Sequence, residues 1–576
     1  MSRSGNLDRS TLAGLPPRYA AVVTLLQEGK ARDAAEHCKA ILQRDPCDAE
    51  AYHLLGLAAA SASSMEDACE NFRQAAVLAP RNPTYFFNLG NAYTRLGRHA
   101  EGAAAFRNAL ESAPEEASCW FNLGNAEHAR GDNAAADAAF QRAVEIKPDY
   151  VRAWLNLGNV RRELGRYAEA QAALEQAIRL EPESSGAVNN LGNLLREIGR
   201  PEEARKVLED LLRRSARHFR AWNNYGSALR ESGHLEESIK AYRQAIALQP
   251  DHAQAHLNLS MALLAAGQFD EGWKEYEWRW KAARETKGYQ RDFKEPLWQG
   301  QPLHGETILL HAEQGLGDAL QFVRYAPLVA ARGGRVIVEC QGELKGIFGR
   351  MPGIAVVVAR GEPLPPFDLQ CPMMSLPLAF RTDAQSIPAE IPYLAPDPAK
   401  VAAWREYFGR ETRPKVGLVW AGNPRRHDPV SNMIDRRRSF NLEQMRPLLE
   451  QPGFAFYSLQ KGEAQTELAR WLGRIEDIGS RFADFDDTAA AVSQLDLVIT
   501  VDTSVAHIVG ALGRPVWMLS RFDACWRWGP MGETSAWYPT MTVFRQERYG
   551  DWSAPLAKAA QRLAGEWMPA KPSSPC

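Results

Sequence analysis

LDLVITVDTSVAHIVGALGRPVWML, residues 495–519, decides how the second half of the chain folds. The apolar, β-branched run Leu497–Val501 breaks at Asp502-Thr503-Ser504 into a helix-like segment that ends at Gly513, and Val516–Leu519 restarts a strand. Strand, turn, helix and strand in that order predict a βαβ unit with parallel strands buried on both faces. Thr503 and Ser504 stand where they can cap the free N–H groups of the helix start. Those groups and the positive end of the helix dipole favour an anion such as phosphate, with Thr503, Ser504 and His507 as further donors. The same residues also fit a plain βαβ turn, with Thr and Ser as caps and His507 as a packed surface histidine.

The neighbouring sequence repeats the α/β pattern. KVGLVWA (415–421) and Phe454–Leu459 read as strands, the second followed by Gln460-Lys461-Gly462-Glu463. Upstream, TILLHAEQGLGDALQF (307–322) reads as strand, glycine turn and helix. Gly315 and Gly317 let backbone approach a ligand, and Asp318 lies at the helix start. Asp318 is equally placed to be an N-cap. The turn is no dinucleotide fingerprint, because Leu320 fills the third glycine slot, and the Lys-Ser/Thr of a P-loop is missing. Further strands are expected at Arg335–Glu339 and Ile354–Val358, PFDLQCPMMSLPLAF (366–380) leads to the edge of this lobe, and Pro388, Pro392, Pro396 and Pro398 mark a connector. Lys461 and Arg438, the latter within Asp435-Arg436-Arg437-Arg438-Ser439, are cation candidates that also fit ordinary solvated basic loops. Asp484-Phe485-Asp486-Asp487 mimics a metal-binding D-x-D but leads into Thr488-Ala489-Ala490-Ala491, so it reads as helix capping, with no metal expected.

The first half carries a strict period. Gly56, Gly90, Gly124, Gly158, Gly192 and Gly226 are 34 residues apart, with Ser260 in the next slot. Pro46, Pro80, Pro114, Pro148, Pro182 and Pro250 keep the same step, interrupted only by Ala216. Ala68 with Phe72, Gly102 with Phe106 and Ala136 with Phe140 fall between them, and Tyr52, Phe86, Trp120, Trp154 and Trp222 stand four residues before the glycine. This pattern resembles the tetratricopeptide repeat, in roughly eight units over residues 17–288. Such a repeat is a helix hairpin that buries its apolar face only by stacking on its neighbours. A second ladder, Asn88, Asn122, Asn156, Asn190, Asn224 and Asn258, runs two residues before the glycine slot. One amide per repeat offers a donor and an acceptor to an extended peptide backbone. The array resembles that of the protein O-GlcNAc transferases, in which matching asparagines hold substrate protein. The plainer reading is that Asn is a tolerated consensus residue. Beyond Gly272, Trp273, Trp278 and Trp280 are expected to close the array and dock it on the next domain.

Composition excludes several classes. In 576 residues, 68 Lys and Arg nearly balance 70 Asp and Glu, which gives no support to nucleic-acid binding. The eight cysteines show no C-x-x-C and read as reduced thiols of a cytoplasmic protein. The sequence shows neither a signal peptide nor an 18-residue apolar run.

Asp502-Thr503-Ser504-Val505-Ala506-His507 followed by Gly510-Ala511-Leu512-Gly513-Arg514-Pro515 resembles the D-T-x-x-x-H and A-L-G-x-P signature of heptosyltransferase-like enzymes, glycosyltransferase family 9. Gly315-Leu316-Gly317-Asp318 with Pro327 is similar to their first lobe, and the Trp526-Arg527-Trp528 to Trp552 tail looks like that of bacterial tetratricopeptide proteins carrying this domain. The resemblance implies an all-α tetratricopeptide superhelix followed by an α/β GT-B glycosyltransferase of two Rossmann-like lobes. It further implies inverting, metal-independent transfer of a sugar from a nucleotide-sugar donor to a hydroxyl of a protein held by the repeat groove. Asp318 is then the general base, Thr503, Ser504 and His507 bind the donor diphosphate with Lys461 as a weaker partner, and Gly315, Gly317 and Arg438 belong to a donor or acceptor loop. No cofactor is expected besides the nucleotide-sugar substrate. The expected layout is a disordered start (1–16), the array (17–288), a junction (289–302), an acceptor-side lobe (303–400), a nucleotide-sugar lobe (401–568) and a tail (569–576). The alternatives are a non-catalytic interaction scaffold and transfer to a lipopolysaccharide or other glycan.

Overall fold

The computed structural model describes residues 15–282, 291–426, 429–529 and 532–565. Most of the expected disordered start, and the tail 569–576, lie outside them. Sixteen helices from Ala20–Gln27 to Phe269–Tyr276 make eight antiparallel hairpins among the described residues. In a representative repeat, Ala117–Ala129 carries the glycine and Asn133–Ile146 the aromatic residue. The second helix stops two residues before Pro148, which lacks the N–H needed to continue it. The glycine slot has a packing cause: a Cβ on Gly124 would lie 2.6 Å from the Phe140 ring, and Gly56 and Gly90 meet Phe72 and Phe106 at the same 2.6 Å. Where the aromatic before the glycine is tryptophan, it has a polar task as well. Trp120, Trp154 and Trp222 donate their indole N–H at 2.8 Å to the backbone carbonyls of Pro114, Pro148 and Ala216. A carbonyl is all that contact needs, so the array tolerates Ala216 in the proline slot.

The chain folds as two compact units, one reaching to Leu194 and the other beginning at Leu195. The second unit holds the last helix hairpins together with two parallel sheets. Its first sheet contains β1 (Thr307–His311), β2 (Arg335–Cys340), β3 (Ile354–Ala359) and β4 (Leu369–Pro372), in the order β3-β2-β1-β4. Its second contains β5 (Lys415–Val419), β6 (Ala455–Ser458), β7 (Ile475–Asp477), β8 (Leu497–Val501), β9 (Val516–Ser520) and β10 (Met541–Arg545), in the order β10-β9-β8-β5-β6-β7. Counted from β5, that is the doubly wound 3-2-1-4-5-6 order of Rossmann sheets, and the first sheet is its four-stranded counterpart. Every pairing is parallel, so the turns that leave the strands gather at the carboxyl edge of each sheet. β8 falls on the expected residues. β4, β7 and β10, short or broken by polar residues, went unread as strands.

Within the second unit the last helices are fixed to the first lobe. Trp273 is 1% exposed and donates to the Thr382 carbonyl at 3.0 Å, while Trp278 lies flat on His256 with ring centroids 3.9 Å apart. Arg279, fully buried, grips Glu313 just past β1 through two N–H···O contacts of 2.8 and 2.9 Å. Asp484 caps Phe485–Ser493 by accepting the Asp487 N–H at 2.9 Å, and Lys400 pairs with Asp484 and Asp487.

Replacing Gly124 by Val should lower stability by about 1–3 kcal/mol, because the added carbons overlap the Phe140 ring. Urea unfolding followed by circular dichroism measures it, and Phe140→Leu in the same chain should restore part of the loss.

Candidate functional site

In doubly wound sheets a ligand lies outside the carboxyl ends of the strands, where the winding reverses. In the second sheet that point lies between β5 and β8, and it is built from the Trp420–Asn423 loop and Asp502-Thr503-Ser504. The two lobes meet here. Helix α1 (Leu316–Phe322) of the first lobe lies against helix α3 (Ser504–Ala511) of the second, so closely that a Cβ on Gly317 would come within 2.8 Å of His507 Cδ2. Between them in sequence, helix α2 (Pro429–Arg438) delivers Arg438, which donates to the Asp502 carbonyl at 2.8 Å and pairs with Asp435 at 2.9 Å.

Each expected residue has a definite place. Thr503 is the N-cap of α3, yet its hydroxyl caps no N–H and lies 3.2 Å from that of Thr500. This corrects the capping role expected for Thr503. The helix start is therefore not covered by its own cap, and Thr503 and Ser504 are both half-buried. His507 is inside rather than at the lip. It is 5% exposed, accepts or donates at Nδ1 to the Tyr538 hydroxyl at 2.9 Å, and packs on Trp528. Burial first, then Arg527 and Arg324, push its pKa well below the usual range, so the ring is neutral at pH 7. A neutral imidazole lends no charge to a diphosphate and keeps a single ring N–H to donate.

Asp318 sits at the third position of α1. One carboxylate oxygen accepts the Gly315 N–H at 2.9 Å and the other is paired with Arg527. Arg527, which the sequence reading did not single out, also donates to Gln321 Oε1 at 2.6 Å and to Cys525 Sγ at 3.2 Å, with its guanidinium 4.4 Å over the Trp526 ring. Burial opposes its charge, but Asp318 and Cys525 outweigh that and raise its pKa. The W-R-W run was legible; that its arginine reaches the other lobe was not. Lys461 is exposed and donates to the Phe482 carbonyl at 2.6 Å.

In the first unit the asparagine ladder has a second row. Asn122, Asn156 and Asn190 each donate an amide N–H to an asparagine of the preceding repeat, Asn91, Asn125 and Asn159, at 3.2, 2.8 and 2.9 Å. Asn88 lies 2.8 Å from His53 Nε2 instead, since the preceding repeat has Leu57 in the second-asparagine slot. The signal was present as N-x-G-N every 34 residues. All these amides are half-buried. In the second unit the pattern changes: Ser227 replaces the second asparagine, Asn224 accepts from Asn223 at 3.3 Å, Asn258 donates to Asn223 at 2.9 Å and accepts from Gln254 at 3.0 Å.

A family model described as the cilia and flagella-associated protein 70 C-terminal domain matches residues 8–220, and a TPR repeat model matches residues 226–267. The N-terminal half of this chain is a tetratricopeptide-repeat array. Protein FlbA of Caulobacter vibrioides is 30% identical over 293 residues, covering 46% of this chain and 48% of FlbA, so the chain spans about half the length of that relative. Among solved structures, MamA is 22% identical, with 28% of this chain and 96% of MamA covered and a TM-score of 0.28. YrrB, described as a TPR protein with an unusual peptide-binding site, is 20% identical, with 38% and 96% covered and a TM-score of 0.27. Alongside the tetratricopeptide array, the α/β part carries the two parallel sheets. No helix among the described residues is long and apolar enough to cross a membrane.

His311 ends β1 at the reversal point of the first sheet, 3.1 Å from Gln370 Oε1, and burial pushes its pKa down to about 4. A depressed histidine stabilises the fold above its unfolded value, about 6.5, and that contribution is lost as pH falls toward 4. Between pH 7 and pH 4 the natural chain should lose on the order of 2 kcal/mol more stability than His311→Gln, read by urea unfolding at each pH.

Proposed function

We propose that this protein is a glycosyltransferase that moves a sugar from a nucleotide-sugar onto a hydroxyl of a protein held by its tetratricopeptide array. The observation that carries the reading is the contact of Gly317 with His507, which sets Asp318 of one lobe and the uncapped Thr503-Ser504 helix start of the other on the same interlobe edge. A helix start offers N–H groups to a diphosphate leaving group, and a carboxylate nearby can take the proton of the acceptor hydroxyl. Direct displacement with those two groups gives an inverted product and needs no metal. Arg527 adds a charge that neutralises the departing diphosphate once it turns from Asp318. The half-buried amide rows of the array supply acceptors and donors to an extended chain, the requirement for binding many sequences alike.

A second reading has its own support. With Asp318 already paired to Arg527 and bonded to the Gly315 N–H, and His507 packed inside, the lobes also suit a scaffold that binds protein without transfer.

A nucleoside diphosphate should raise the melting temperature of the full chain, and Ser504→Asp should abolish that shift by placing like charge at the helix start. Asp318→Asn should keep donor binding and lose transfer by a factor of 10² or more. Donor binding with no transfer to any protein or glycan acceptor decides for the scaffold. The triple change Asn122→Ala, Asn156→Ala and Asn190→Ala should weaken peptide binding by about 10- to 100-fold, measured by fluorescence anisotropy, with nucleotide binding unchanged.

A further inference from the structure

β9 leads into Arg521-Phe522-Asp523, and this loop and the segment after β10 that holds Tyr549 each meet the turn of one repeat of the same compact unit. A Cβ on Gly233 would lie 3.6 Å from the Phe522 ring, and one on Gly199 2.7 Å from the Tyr549 ring. The seam is built of charge. Arg437 Nη1 is 3.1 Å from Asp523 Oδ2 and 3.2 Å from Glu231 Oε1, Arg196 Nη2 is 2.6 Å from Glu231 Oε1, and Arg521 Nε is 3.4 Å from Asp523 Oδ1. Arg230 is close enough to feel the charge of both carboxylates. Burial works against the charge of Glu231, but Arg196 and Arg437 pull its pKa down to about 2, so it is ionised at pH 7. Arg196, Arg230, Arg437 and Arg521 thus face Glu231 and Asp523, four positive charges against two negative ones.

The hydrogen bonds are as unbalanced as the charges. Arg230 Nε, Arg437 Nε, Arg521 Nη1, Gln546 Nε2 and the Tyr549 hydroxyl are buried with no hydrogen-bond partner among the described residues. The Arg437 side chain is 7% exposed. Every one of these groups can donate, and they outnumber the unpartnered acceptor of the seam, Asp523 Oδ1, which lies 3.4 Å from Arg521 Nε. Buried guanidinium groups in excess of their carboxylates are costly unless a further anion joins them, and water satisfies N–H groups without supplying charge. Several N–H donors around a net positive charge match an oxyanion with several acceptor oxygens, which guanidinium forks bind in pairs.

We infer that this seam between the β9 loop and the repeat turns binds a phosphate group. It lies beside the interlobe edge, since Arg438, the neighbour of Arg437, holds the Asp502 carbonyl at 2.8 Å. The group is either free phosphate or the phosphate of a nucleotide lying along that edge. The inference needs no sugar transfer. A phosphate held there ties the repeat turns to the loop that follows β9, so occupancy reports between array and lobes.

The test uses the full chain, with melting temperature and calorimetric titration at constant ionic strength. Inorganic phosphate should raise the melting temperature saturably where chloride does not, Arg521→Met should weaken the affinity at least tenfold, and Arg521→Lys should retain part of it. Tyr549→Phe, with its smaller change, should weaken it several-fold and covers the case in which Arg521→Met fails to fold. Ser504→Asp separates the sources: phosphate affinity that survives while nucleoside diphosphate affinity vanishes marks free phosphate, and loss of both marks the nucleotide. No saturable effect of either ligand beyond chloride, or affinities unchanged in Arg521→Met and Tyr549→Phe, would overturn the inference. Phosphate binding without nucleotide binding leaves the seam standing and removes the donor reading instead.

Discussion

Parallel pairing is the constraint on which the second unit depends. Each pair of parallel strands requires a crossover, so every strand of both sheets starts at one edge and ends at the other. All the irregular backbone that can touch a ligand is thereby gathered at the carboxyl edges: Gly315-Leu316-Gly317-Asp318 after β1, Trp420–Asn423 after β5, Asp502-Thr503-Ser504 after β8 and Arg521–Trp528 after β9. The order 3-2-1-4-5-6 then opens the second sheet between β5 and β8. Side chains from distant parts of the sequence meet because the topology leaves them no other edge.

Electrostatics at that edge is governed by arginines rather than by the helix start alone. Arg527 reaches from the loop after β9 to Asp318 of the other lobe, Arg438 holds the Asp502 carbonyl, and Arg437 joins Asp523 to Glu231 of a repeat helix. Guanidinium groups suit this role because their planar forks make several directed bonds while carrying a charge that burial does not remove. Their pairings also hold the edge in one arrangement. A ligand that draws Arg527 from Asp318 exchanges one ion pair for another, which costs less than creating a charge in a buried place.

The array works by a different economy of shape. Glycine at one position lets an aromatic ring of the second helix lie on the backbone of the first, as Phe140 does on Gly124. The polar rows ride on that packing. Because Asn122, Asn156 and Asn190 are tied to asparagines of the repeat before, their amides are held in register at a fixed spacing, with little side-chain entropy left to lose on binding.

The 34-residue period, the hairpins, the strands β1, β2, β3, β5, β6, β8 and β9 and the glycine turn before Asp318 were legible in the sequence, because each is set by local periodicity or by a residue whose backbone freedom is unusual. The capping role of Asp484-Phe485-Asp486-Asp487 was legible for the same reason. The tertiary structure decided the rest. That His507 is turned inward against Gly317, that Thr503 leaves its helix uncapped and that Arg527 pairs with Asp318 are facts of packing, the last between residues 209 positions apart. Sequence fixes which groups are present and how neighbours along the chain are spaced. Which of them meet, and whether a charged or polar group is left a partner, is set by packing across elements, where no periodicity records the answer.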